Sequence, residues 1–430
     1  MARALGLDFG TTNTVIALAE GDGATQSIPF TSSAGTTDTM RTALSFMKDR
    51  QLGAQALKVE AGQAAIRAFI DNPGDCRFLQ SIKTFAASPL FQGTLIFARR
   101  HQFEDLMEIF LRRLKAYAGE AWAAEVSRIV VGRPVRFAGT SPDADLALTR
   151  YDAALQRLGF PEIHYVYEPV AAAYYFAQTL ANDATVLVAD FGGGTTDYSL
   201  IRFERQAGRL SATPIGHSGV GIAGDQFDAR MIEHLVAPEI GKGSRFRSFD
   251  KVLDVPSNYY TSFSRWNQLS IFKGSKEFSD LQSLVRSALE PEKLELFIDL
   301  VEHDEGYPLY QAVSATKMAL SGTEEAEFSF APLGKAARKT VRRRDFESWI
   351  ADDLSRIEAA LDQVLVETNT APAAIDKVFL TGGTSFVPAV RDIFNRRFDA
   401  GRIESGGELL SIAHGLALIG ESGEMARWAA

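Results

Sequence analysis

Two stretches of this sequence pair a carboxylate with a run of small residues. Asp8-Phe9-Gly10-Thr11-Thr12-Asn13 follows an apolar segment, and Asp190-Phe191-Gly192-Gly193-Gly194-Thr195-Thr196-Asp197 follows another. Glycines and short side chains let successive backbone N–H groups close on an anion, and such a turn is a nest for phosphate. The hydroxyls of Thr11, Thr12, Thr195 and Thr196 add donors, and Asp8, Asp190 and Asp197 offer hard oxygens suited to Mg²⁺ or to its bound waters. One copy alone would read as an ordinary glycine turn, whereas two copies with matched aspartates point to a phosphate site. A third stretch, Leu380-Thr381-Gly382-Gly383-Thr384-Ser385-Phe386-Val387-Pro388, sets a glycine pair between a strand and a helix start. There a flat base can lie against backbone, and a helix N-terminus favours an anion; alone, it also reads as a tight connection. Glu168 precedes Pro169, which places it at a strand end in extended backbone. It either orients a water or is an exposed strand-end acid.

The elements that must carry these residues follow from periodicity. Each Asp-Phe-Gly stretch is flanked by apolar runs on both sides and reads as a β-hairpin. A P-loop or dinucleotide loop differs, because its glycines open a helix. Recurrence of the plan at residues 8 and 190 predicts two similar α/β halves facing one another. Between the copies, 129–131 and 165–167 read as strands, and 143–158 and 171–180 as helices. After the second copy, helices are expected over 227–236, 310–321 and 413–419, one long amphipathic helix over 346–365, and a strand over 377–380. Residues 240–285 have little period. Gly219-Val220-Gly221-Ile222-Ala223-Gly224 matches the dinucleotide-loop spacing, but 213–218 is a poor buried strand, so it reads as a glycine loop before a helix. The six histidines have no metal-ligand spacing. The basic run Arg338, Lys339, Arg342, Arg343 and Arg344 reads as a solvated face.

Composition bounds the rest. The chain has 430 residues, 46% hydrophobic and 23% charged, with a net charge of −9. That is a globular chain, without the basic footprint that nucleic acid or an anionic membrane surface requires. A single cysteine, Cys76, excludes an intrachain disulfide and a cysteine-ligated metal. The N-terminus has no apolar targeting segment and no run is long enough to span a bilayer. The expectation is a soluble cytoplasmic protein.

Taken together, the three motifs resemble the phosphate-1, phosphate-2 and adenosine motifs of the actin/hexokinase/heat-shock ATPase superfamily. Tyr167-Glu168-Pro169-Val170-Ala171-Ala172-Ala173 is similar to the Asn-Glu-Pro-Thr-Ala-Ala-Ala segment of DnaK-type (seventy-kilodalton heat-shock) chaperones, and Ala223-Gly224-Asp225-Gln226-Phe227-Asp228 to their Gly-Gly-Glu-Asp-Phe-Asp. The resemblance extends to the stand-alone nucleotide-binding, YegD-type branch. It implies an α/β fold of two actin-like, ribonuclease-H-like lobes around a nucleotide cleft. Lobe I would be 1–184 with an inserted subdomain at about 36–120; lobe II would be 185–430 with an insert at about 228–340. It further implies that Gly10, Thr11, Thr12 and Asn13, with Gly192, Gly193, Gly194 and Thr195, hold the β- and γ-phosphates of ATP or ADP. Asp8, Glu168 and Asp190 would surround a hydrated Mg²⁺, and K⁺ is a further ion it allows. Lys83, otherwise a lone lysine, would reach the γ-phosphate, and Asp197 and Thr195 would help align the attacking water. Lys317, Ser321, Gly224, Asp225, Gly382, Gly383 and Thr384 would bind the nucleoside, and Pro134 stands at the hinge.

The departures from that pattern are specific. Ser314 and Met318 stand where an acid and an arginine accompany the adenine-helix lysine, Phe386 replaces an arginine after the adenosine glycines, and Leu148 replaces the arginine that relays to a linker. The expected function is a slow Mg²⁺-dependent ATPase of the chaperone type, acting as a nucleotide switch without its own peptide-binding domain. A co-chaperone or client would contact lobe II around 240–310, and a monomer is favoured. Alternatives are a small-molecule kinase of the same superfamily, an actin-like filament subunit, and a nucleotide sensor that does not hydrolyse.

Overall fold

The computed structural model of the chain describes all residues except 1–2, 22, 50–55, 73–74, 123–125, 127, 140, 207–208, 266–268, 407–409, 423–424 and 429–430. Both Asp-Phe-Gly stretches are hairpin turns. Ala4–Phe9 pairs antiparallel with Asn13–Ala19, and Ala184–Phe191 with Thr196–Gln206. Around each hairpin the sheet is built to one plan. In the first, Arg128–Arg133 lies parallel beside Ala4–Phe9, with Glu162–Tyr167 parallel beyond it; Thr25–Ser27 continues the antiparallel side. In the second, Lys377–Thr381 lies parallel beside Ala184–Phe191, with Ile403–Ser405 parallel beyond it; Arg209–Val220 continues the antiparallel side. Strand for strand, the two sheets are copies, which is the structural form of the sequence repeat. The chain is thus a two-lobed α/β molecule of actin-like ATPase fold.

Buried central strands explain the apolar runs. All eight residues of Ala184–Phe191 are buried, as a parallel-sheet strand covered on both faces requires. Each lobe has its own core, one around Phe9, Phe110 and Tyr151, the other around Phe191, Tyr198 and Phe394. A third apolar cluster lies between the lobes, where Val166 and Ala171 of one meet Val186 and Phe379 of the other and Leu416 from the C-terminal helix. That helix, Ser411–Glu421, follows the second sheet in the chain but packs on the first. His414 bonds to Thr25 Oγ1 (2.7 Å) and Ser27 Oγ (2.9 Å), and Ala413 and Ala417 sit on Val15 and Ala17. A cut at 184/185 therefore leaves this helix across the boundary from the sheet it covers. Where it crosses helix Glu168–Ala177, a Cβ on Gly415 would fall 1.8 Å from the Ala171 carbonyl oxygen, so only glycine allows the approach.

Several sequence expectations need correction. Glu168 directly follows strand Glu162–Tyr167 but is neither extended nor exposed: helix Glu168–Ala177 starts with it, Pro169 follows in the first turn, and the extended residue is Tyr167 (ψ 131°). Proline suits a first turn because it forgoes no intrahelical bond there. The long helix is two, Arg343–Trp349 and Ala351–Glu367, broken at Ile350 (ψ 5°) although its apolar pattern runs on. The glycine pair Gly382-Gly383 does not open a helix directly: a 3₁₀ turn Gly383–Phe386 intervenes before helix Pro388–Asn395. Residues 213–218, a poor strand by sequence, lie in strand Arg209–Val220, held by pairing to its hairpin partner. Because that strand is antiparallel, the glycine-spaced stretch is not part of a dinucleotide-binding unit. The weakly patterned 240–285 holds a small hairpin, Arg245–Ser248 with Lys251–Asp254, and short helices such as Lys276–Leu284. The basic run is partly paired, since Lys339 binds Glu239 and Arg343 binds Glu324.

Candidate functional site

The two hairpin turns face each other across a cleft of about 650 Å³. Its deep end is built from four strand or helix termini. Asp8 and Asp190 each lie one residue from the end of a central strand, and Asp190 stands opposite Asp197 in its hairpin and Thr381 in the parallel neighbour. Glu168 opens its helix, where the N-terminal dipole favours a carboxylate. Lys83 comes from a single 3₁₀ turn, Ile82–Phe85, and its ammonium donates to Glu168 Oε1 at 2.5 Å with both side chains buried. Burial works against the charge on Lys83, but Glu168 and Asp8 outweigh it and hold the lysine protonated well above its ordinary range.

Four acids and one lysine leave this end short of positive charge. Burial, then Glu168, raises Asp8 to about 7. Burial, reinforced by Glu168, Asp197 and Asp8, raises Asp190 well above the carboxylate range. Burial also raises Asp197 to about 7, even though its Oδ1 accepts from the backbone N–H groups of Val135 (2.8 Å) and Arg136 (3.2 Å). Those two bonds tie lobe II to the segment after Pro134 in lobe I. The other oxygen, Asp197 Oδ2, is buried with no hydrogen-bond partner among the described residues. This donor set fits a hard divalent cation, which would cancel the excess charge. Among the described residues no three acids, histidines or cysteines converge into a direct metal cage, so the fit is to a cation that keeps its waters, as Mg²⁺ does.

The turns form the cleft's middle. Gly10, Thr11, Thr12, Asn13, Gly192, Gly193 and Thr195 all line it. The lobes touch here. A Cβ on Gly193 would come within 2.4 Å of Thr12 Oγ1 and 3.3 Å of Asp225 Oδ1, so a larger residue would push the two hairpin turns apart. Gly192 N–H donates to Thr195 O (3.0 Å), closing the second turn, and Asp225 N–H donates to Gly193 O (2.8 Å). Gly194 and Asp197 lie beside the cleft and not on its wall; Gly194 backs onto Thr11 and Ala138.

The outer end gathers Gly224, Asp225, Lys317, Ser321, Gly382, Gly383 and Thr384. Lys317 is fixed by Asp228 Oδ1 (2.7 Å) and the Gly224 carbonyl (3.1 Å), and Thr384 donates to Gly192 O (3.3 Å), joining the outer end to the second phosphate turn. Burial raises Asp225 to about 6 and, despite Lys317, also raises Asp228. Met318 and Phe386 line the cleft as two apolar side chains with 71% and 50% of their surface exposed. Sequence reasoning missed Arg41, Asp228 and Tyr310 on the wall. Asp228 sits in the glycine-acid segment already singled out. Arg41 carried no signal at all: it lies in a two-residue strand, Met40–Arg41, and reaches the cleft through pairing with Asn13.

A duplicated sheet, paired glycine hairpins and a carboxylate-lined cleft between lobes define a nucleotide-binding ATPase of the actin-like class. Residues 79–246 and 282–421 match the family model described as Hsp70 protein. More than half the chain is matched, and the chain belongs to the Hsp70 family, whose members are ATP-binding, chaperone-type ATPases. The match takes in Lys83, Glu168, the second hairpin, Lys317 and the adenosine turn. Hairpin 8–13 lies outside it, and the sheet duplication is what connects that hairpin to the rest.

Proposed function

We propose that this chain binds ATP with Mg²⁺ in the interlobe cleft, hydrolyses it slowly to ADP and phosphate, and serves as a nucleotide-driven switch of the chaperone type. The observation that carries this is the facing pair of glycine turns, set directly over Asp8, Lys83, Glu168 and Asp190. The turns take the β- and γ-phosphates with backbone N–H groups and threonine hydroxyls, and Met318 and Phe386 hold the base. A hydrated Mg²⁺ held near Asp8, Glu168 and Asp190 would supply charge neutralisation at the phosphates. Lys83, kept charged by Glu168, donates to the terminal phosphate or the attacking water. Asp197, beside the Thr195 hydroxyl, aligns that water. The chemistry is positioning and charge stabilisation, with no covalent intermediate.

The lobes supply the switch. A ligand bridging both turns favours the closed arrangement, and a partner that binds ATP and ADP forms unequally reads it out. The segment around 240–310 is the partner surface we assign, the compartment is the cytoplasm, and the chain acts as a monomer. No helix among the described residues is long and apolar enough to cross a membrane. The test is phosphate release from ATP with and without Mg²⁺, with calorimetry for ATP and ADP. The reading expects Mg²⁺-dependent release and micromolar or tighter binding of both; absence of nucleotide binding overturns it.

A further inference from the structure

The cleft wall carries three cations among the described residues, and two of them are already engaged. Lys83 is paired with Glu168 and Lys317 with Asp228. Arg41 is the third. Among the described residues its side chain has no acid within ion-pair distance and donates no hydrogen bond, although it is half-buried. An unpartnered guanidinium offers five donors in a planar fork that matches phosphate oxygens, and withdrawing it from water with nothing to bind is costly.

Its position is set by backbone bonds to the first phosphate turn. Arg41 pairs with Asn13, Thr42 N–H donates to Thr12 O (2.9 Å), and Thr42 Oγ1 donates to Gly10 O (2.8 Å). On the other side Ser81 N–H donates to Thr42 O (3.0 Å). Arg41 therefore stands one residue before this bond and Lys83 two residues after it, and both line the cleft. Across from Arg41 the second lobe presents Tyr307 and Tyr310. Asp225 is the acid that its charge reaches, helping to lower that carboxyl against the effect of burial and Asp228.

We propose that Arg41 is the residue that recognises the terminal phosphate, donating to its oxygens and so separating triphosphate from diphosphate. This rests on the reading of the cleft as an ATP site. Arg41 lies on the edge of the lobe I insert and faces lobe II, so engaging the γ-phosphate also ties lobe closure to the nucleotide state.

Calorimetry on the full chain with Mg²⁺ tests it, using ADP and a non-hydrolysable ATP analogue against wild type, Arg41→Ala and Arg41→Lys, each variant checked for a native melting transition. Arg41→Ala is expected to weaken the analogue roughly 10- to 100-fold and ADP less than about threefold, the range for a lost charge-assisted bond. Arg41→Lys, keeping the charge without the fork, is expected to recover part of the loss. Because the side chain makes no hydrogen bond or ion pair among the described residues, the melting temperature should stay close to wild type. Equal loss for both nucleotides, or no loss for either, overturns the assignment while leaving the ATP site standing. Wild type binding neither nucleotide overturns the ATP reading itself, and this inference with it. Should Arg41→Ala not fold, the analogue-to-ADP ratio in Arg41→Lys decides: an unchanged ratio overturns the assignment.

Discussion

Asp190 shows how function and stability pull apart at a single residue. Its carboxyl is buried among Glu168, Asp197 and Asp8, and burial with that crowding lifts its pKa. Such a group destabilises the empty fold when ionised and is retained for what it does with a ligand. Asp190→Asn is therefore expected to leave the apo protein as stable as wild type or more so. It should also cut Mg²⁺-dependent phosphate release by about 100-fold or more, the scale of a lost electrostatic group; unchanged release would remove Asp190 from the site. The same physics sets a pH dependence. Asp8 and Asp197 are raised from the ordinary carboxylate value of 3.8 to about 7, so the folded state holds protons that the unfolded chain has released. Their contribution to stability is full below about pH 4 and is lost as pH rises through about 7. Lys83 stays charged across that window. The melting temperature of Asp8→Asn, measured without ligand, should fall less between pH 5 and pH 8 than that of wild type; parallel curves would contradict the assignment.

At the scale of elements, each site residue is held by an edge or terminus. Strand ends place Asp8 and Asp190, a helix start places Glu168, and a 3₁₀ turn places Lys83. The base platform proposed above is also split, with Met318 on helix Gly306–Gly322 and Phe386 on turn Gly383–Phe386. Neither residue carries the directional donors of a guanidinium, so the platform holds a ring by contact area and stacking. Such contacts favour any purine. Calorimetry is expected to find GTP bound within about tenfold of ATP, since stacking of roughly 1–3 kcal/mol per base does not depend on its edge groups. ATP bound with GTP undetectable would show that another group reads the base. Phe386→Ala should weaken both nucleotides together.

At the scale of the molecule, the lobes are joined at the base and meet again at the mouth. The apolar cluster beneath the cleft, with helix Ser411–Glu421 crossing between the sheets, forms the fixed end. Across the mouth, Phe78 of lobe I meets Tyr307 of lobe II edge-on at 5.6 Å, with Phe69 stacked behind Phe78 at 4.9 Å. One aromatic pair contributes about 0.5–1.5 kcal/mol beyond its buried area, enough to bias closure without locking it. Tyr307→Ala is expected to raise the nucleotide dissociation rate about three- to tenfold, as that energy implies, with little effect on hydrolysis at saturating nucleotide. Stopped-flow release of a fluorescent ADP measures it, and an unchanged rate would mean that the contact does not hold the lobes together.

The sequence by itself determined the two hairpins, their repetition, the central strands and the glycine turns. In each of these, local residue type and local geometry say the same thing: apolar runs bury, and glycine with threonine turns. Residues 8–13 and 190–197 could be read as one chemistry because the repeat is covalent order, visible without folding. Tertiary structure alone decided the rest. Lys83 gained its buried partner from a helix 85 residues away in the chain, and no local pattern distinguishes it from a surface lysine. Glu168 became a helix start because the packing of helix Glu168–Ala177 against Ser411–Glu421 outweighs the preference of a pre-proline residue for extended backbone. Strand Arg209–Val220, unpromising in composition, is held by its neighbour's hydrogen bonds and by tertiary contacts such as Ser218 Oγ donating to the Ala360 carbonyl (2.6 Å). Arg41 reached the cleft through a two-residue strand pairing, and its lack of a hydrogen-bond or ion-pair partner among the described residues is a fact about the space around it, which no reading along the chain contains.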